Sequence, residues 1–122
     1  MSSTSTDYLA LTQRVSADLA ELRGGIPAVL KDFSSLGRSA LAEGALDKKT
    51  KELIALALGV AVRCDPCIGY HAQALVKLGA SRQELDEMLG VAVYMGGGPS
   101  LMYAANARAA FDQFAALALP TG

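Results

Sequence analysis

The chain has 122 residues, close to the commonest size for one domain, and residues 1–122 read as a single domain. Hydrophobic residues make up 52% and charged residues 19%, a high apolar content for so short a chain. The formal net charge is -1 and no basic cluster occurs, so the basic and aromatic surface of a nucleic-acid binder is missing and no nucleic-acid partner is expected.

The N-terminus, Met1 to Asp7, is rich in Ser and Thr and lacks the basic and apolar regions of a secretory signal. Residues 1–6 are expected to form a disordered leader. A first helix is predicted from about Asp7 to Arg23, with Leu11, Val15, Leu19 and Leu22 as its apolar stripe. Gly24 and Gly25 are expected to stop it, and Pro27 suits the first turn of a second helix carrying Val29, Leu30, Phe33 and Leu36. Asp47 is a good N-cap for a third helix running from Lys48 to about Val62. A fourth helix is predicted with Asp65 as N-cap and Pro66 at its first position, ending before Gly79. Ser81 and Glu84 form a capping box for a fifth, reaching about Met95. Gly96-Gly97-Gly98 breaks the chain, and Pro99 starts a last helix ending near Ala118.

About six helices with short connections and no strand predict an all-α fold. The run Leu53–Val62 is apolar on every side but is far shorter than the roughly 20 residues a membrane span needs, so no membrane association is expected. Together with Val91–Met95 it exceeds what one small core absorbs, and a homo-oligomer of at least three copies is predicted. A cytoplasmic location follows from the absence of a signal or span.

Both cysteines lie in Cys64-Asp65-Pro66-Cys67, and His71, the sole histidine, follows four residues after Cys67. A local cysteine pair in a non-secreted chain points to redox or metal chemistry rather than to a disulfide scaffold. At a helix start, unpaired N–H groups and the helix dipole stabilise a thiolate. Residues four apart share a helix face, so His71 can take the Cys67 proton and then stabilise the anion. Cys67 is therefore assigned the reactive role and Cys64 the resolving role. Cys64, Cys67 and His71, with Glu52 or Asp65, also offer ligands for a metal. Structural zinc usually takes two separated ligand pairs, and the second pair is lacking, so redox chemistry is preferred, with a catalytic zinc on three protein ligands as the alternative.

Glu52 is harder to place from spacing. In a simple helical hairpin turning near Asp65 it faces residues near Leu78, about 10 Å along the axis from His71. On residues alone it reads as a solvated carboxylate in an early helical turn.

The pattern Glu52, Cys64-x-x-Cys67-x-x-x-His71, with Leu46–Ala57 before it and Tyr94-Met95-Gly96-Gly97-Gly98-Pro99 after it, resembles the carboxymuconolactone decarboxylase-like superfamily, in particular its alkylhydroperoxidase D branch. The resemblance covers roughly residues 27–115. It implies an all-helical subunit forming homotrimers or homohexamers, and a peroxidase that needs no cofactor. It also implies that Cys67 is peroxidatic, Cys64 resolving, and Glu52 with His71 a proton relay. Pro66 departs from the pattern, since the best-known peroxidases of the branch carry a second histidine immediately before the second cysteine. The resulting expectation is reduction of a small organic hydroperoxide, with an external thiol or dithiol as electron donor. The alternatives are a disulfide reductase without peroxidase activity and a non-enzymatic helical oligomer that binds a ligand or metal.

Overall fold

The structure, a computed structural model, describes residues 6–118. All but the last residue of the expected leader lies outside them. The described residues form an all-α fold: α1 (Tyr8–Gly25), α2 (Pro27–Leu41), α3 (Lys48–Ala61), α4 (Asp65–Lys77) and α5 (Arg82–Ala118).

Most helix starts follow the local chemistry of capping. Asp7 and Asp47 accept the backbone N–H groups of Ala10 and Thr50, satisfying donors that a first turn leaves unpaired. Ser81 and Glu84 form the reciprocal capping box, at 2.8 and 3.0 Å, and Glu84 also pairs with Lys49 of α3 at 2.7 Å. That lysine and the capping hydrogen bonds lower the Glu84 carboxyl below its ordinary range.

Two expectations are corrected, while the break before the last helix falls where the glycine run places it: α5 consists of two helical limbs that meet in a kink at Gly97, whose φ of 71° is accessible chiefly to glycine, and Pro99 begins the second limb without needing an N–H partner. Helix α1 runs through Gly24 and Gly25 to a one-residue turn at Ile26. Its buried positions are Tyr8 and Thr12, whereas Leu19 and Leu22 of the expected stripe are exposed, because α1 docks through its first turns only.

Helices α3, α4 and α5 pack against one another around Leu56, Val60, Ile68, Leu75, Leu85 and Phe111. Helix α1 lies on α4, and α2 touches α1 and α3 lightly and buries no residue. Val29, Phe33 and Leu36, spaced four and three, stand out from α2, with Phe33 72% exposed. A groove of about 450 Å³ between α3 and α5 is lined by Leu53, Ile54, Leu58, Met88, Val91 and Met95. None of the described helices is long and apolar enough to cross a membrane.

Candidate active site

The turn between α3 and α4 sets the geometry of the cysteine pair. Arg63 adopts a φ of 60° and reverses the chain, and Cys64 follows in extended conformation. Cys64, not Asp65, is therefore the N-cap of α4. Asp65 is already helical, and the Cys67 N–H donates to the Cys64 sulfur at 3.2 Å. Cys67 thus sits at the third helical position, one later than the sequence suggests. The first turn of α4 serves the Cys64 sulfur directly, so the helix dipole alone does not distinguish the two thiols.

Cys64 and Cys67 form a disulfide with their Cα atoms 5.2 Å apart. Both residues are half-buried. Helix α3 comes close beside the pair at Gly59, where an added Cβ would lie 3.4 Å from Cys67 Cβ.

That approach also explains how Glu52 reaches His71. Gly59 faces Cys67 and Ile68, so the helical hairpin is centred near Arg63 rather than Asp65. The residue opposite Glu52 is then near Ala74, and only about 5 Å of axial rise separates it from His71. The Glu52 side chain spans that gap: Oε1 lies 2.6 Å from His71 Nδ1. Glu52 is 4% exposed, so it is no solvated carboxylate; a buried carboxylate needs a partner, and His71 supplies one. An ionised carboxylate only accepts, which places the hydrogen on Nδ1. Nε2 has no hydrogen-bond partner among the described residues and is the ring atom open to proton exchange.

The structure thus joins Cys64 to Cys67 and Glu52 to His71. Sequence reasoning missed the partners of Asp65: Tyr8 donates its hydroxyl to Asp65 Oδ1 at 2.7 Å, and Asn106 Nδ2 lies 3.4 Å from the same oxygen. A second clamp forms where Tyr70 donates to the Thr12 carbonyl at 2.8 Å and meets the Ser16 hydroxyl at 2.5 Å. Between the clamps lies Gly69, where an added Cβ would fall 2.7 Å from Thr12 Cγ2 and 3.3 Å from Tyr8 Cδ1. Gly69→Ala is expected to lift α1 from α4 at a cost of about 1–3 kcal/mol, measured by denaturant unfolding. Among the described residues no three His, Cys, Asp or Glu side chains are grouped to hold a metal ion.

The chain is similar in sequence and fold to known proteins. The signature of the carboxymuconolactone decarboxylase family matches residues 27–110. A crystal structure of a family protein from Legionella pneumophila superposes with a TM-score of 0.87 at 56% identity, covering 88% of this chain and 96% of that one. Another, from Thermotoga maritima, has a TM-score of 0.77 at 30% identity over 87% of this chain and 91% of its own; an involvement in antioxidative response has been suggested for that protein. An uncharacterized protein of Cupriavidus necator is 36% identical over 107 residues, 88% of this chain and 95% of its own length. With its helical fold and Cys-x-x-Cys pair, the chain belongs to the carboxymuconolactone decarboxylase family, as the resemblance to its alkylhydroperoxidase D branch implies.

Proposed function

We propose that the protein reduces small organic hydroperoxides through the Cys64–Cys67 pair, with His71 and Glu52 moving the proton. The observation that carries this reading is a disulfide at a helix start accompanied by a buried Glu52 paired with a half-buried His71 on the adjoining helices. The antioxidative involvement suggested for the Thermotoga relative points the same way.

In the reduced protein the Cys67 thiolate attacks the peroxide. A sulfur–oxygen bond forms, the O–O bond breaks, and the departing alkoxide takes a proton from His71 to leave as alcohol. Glu52 balances the charge on the imidazole ring and fixes its orientation. Cys64 then gives its thiol proton to His71, and its thiolate, supported by the Cys67 N–H, attacks the sulfenic acid on Cys67; the displaced hydroxide takes that proton and leaves as water. An external dithiol reduces the disulfide by exchange and is itself oxidised. The thiol pools of a cytoplasm suit that step. No cofactor enters the cycle.

The active form is a homo-oligomer of at least three copies. The ridge of Val29, Phe33 and Leu36 on α2 and the groove between α3 and α5 are both apolar and open on one chain, and a ridge seated in another copy's groove would remove both from water.

The test is turnover of cumene hydroperoxide with dihydrolipoamide or dithiothreitol as donor. Dithiol-dependent peroxide loss that disappears on alkylation of the cysteines is the expected result. Reduction of small disulfides without peroxide loss would assign a disulfide reductase instead, and neither reaction would leave a binding protein.

A further inference from the structure

Asp65 is the first helical residue of α4 and lies between the two cysteines in sequence. A carboxylate there suits the helix dipole, but its charge competes with a thiolate for the same positive pole and disfavours the anion. The side chain is taken up by two other helices. Oδ1 accepts the Tyr8 hydroxyl from α1 at 2.7 Å, and Asn106 Nδ2 of α5 approaches it at 3.4 Å. Tyr8 is only 1% exposed, and its backbone N–H donates to Gln113 Oε1 at 2.8 Å, so the residue is fixed at both ends. Burial, and then the Asp65 carboxylate, push the Tyr8 hydroxyl above its ordinary range, which keeps it a donor at any physiological pH.

We propose that Tyr8 and Asn106 are positioning residues for the redox pair: they hold the Asp65 carboxylate on the α1–α5 side, leaving the N-terminal pole of α4 to the cysteine thiolate. Other titratable groups on these helices include the Glu52–His71 pair of α3 and α4 and Tyr103 of α5, which acts on Tyr8; Arg63 stands in the turn before the cysteines. Unlike these, Asp65 lies between the cysteines in sequence and accepts the Tyr8 hydroxyl. The proposal rests on the reading that the two cysteines cycle between dithiol and disulfide.

The experiment is a double-mutant cycle on the reduced, full-length protein, read by the pH profile of iodoacetamide alkylation and by the disulfide equilibrium with a dithiol buffer. Tyr8→Phe keeps the ring and its packing while removing the donor. It is expected to slow alkylation at pH 7 by roughly threefold to tenfold, with recovery at high pH, and to shift the equilibrium toward the disulfide by a similar factor. Asp65→Asn should speed alkylation, and in its background Tyr8→Phe should have no further effect. Asn106→Ala should repeat the Tyr8→Phe result more weakly, again only when Asp65 is present. If Tyr8→Phe slows alkylation equally in both backgrounds, the hydroxyl serves packing alone and the proposal is wrong; an unchanged profile in either single variant overturns it too. These readouts do not use peroxide, so loss of the peroxidase reading would leave the result interpretable.

Discussion

Cys67→Ser is expected to abolish hydroperoxide consumption, while Cys64→Ser retains one stoichiometric attack and stops at a sulfenic acid on Cys67. The difference follows from the assigned roles, because only the attacking sulfur is needed to break the O–O bond, whereas both are needed to close the cycle. Trapping with dimedone and peptide mass spectrometry distinguish the two variants. The first turn of α4 donates to the Cys64 sulfur, so the assignment of Cys67 rests on the spacing to His71. A sulfenic acid on Cys64 in the Cys67→Ser protein would reverse the order of attack. His71→Gln should reduce turnover on the order of 10²-fold, the usual loss when a positioned acid–base group is removed. Glu52→Gln should act in the same direction, since its carboxylate holds Nδ1 at 2.6 Å. It should also destabilise the fold less than Glu52→Leu, which leaves the ring without an acceptor.

The second large effect concerns assembly. Wild-type protein at micromolar concentration should scatter light as a trimer or hexamer, and Phe33→Glu should shift it to smaller species. Phe33 is 72% exposed and Met95 76% exposed in one copy, on the ridge and the groove respectively. Placing a carboxylate in an apolar contact leaves an unpaired buried charge, a cost of several kcal/mol at each repeated interface. A wild-type monomer that is stable and folded would refute the account of these surfaces.

Helix placement was legible wherever it depended on local chemistry. Asp47 and the Ser81–Glu84 box cap their helices as spacing suggests, and Gly97 breaks α5 where the glycine run lies. The apolar stripe of α1 misled because Leu19 and Leu22 are not its docking face; Tyr8 and Thr12 are, against a glycine on another helix. The N-cap of α4 was placed one residue late because the conformation of Arg63 cannot be read from composition. That same turn sets the hairpin register, so Glu52 was visible only through family resemblance and its contact with His71 only in three dimensions. Tyr8, Asp65 and Asn106 meet across separations of 57 and 41 residues, which no motif spacing records.

The most direct measurement of the central claim is a titration of fully reduced protein with one equivalent of cumene hydroperoxide, read by intact mass, thiol count and peptide mapping. The account predicts loss of two hydrogens and two thiols per chain, with Cys64 and Cys67 joined within the chain and one equivalent of alcohol formed. Addition of a dithiol should restore both thiols. Two thiols persisting after the peroxide is added, or oxygen atoms accumulating on separate cysteines with no disulfide, would contradict it.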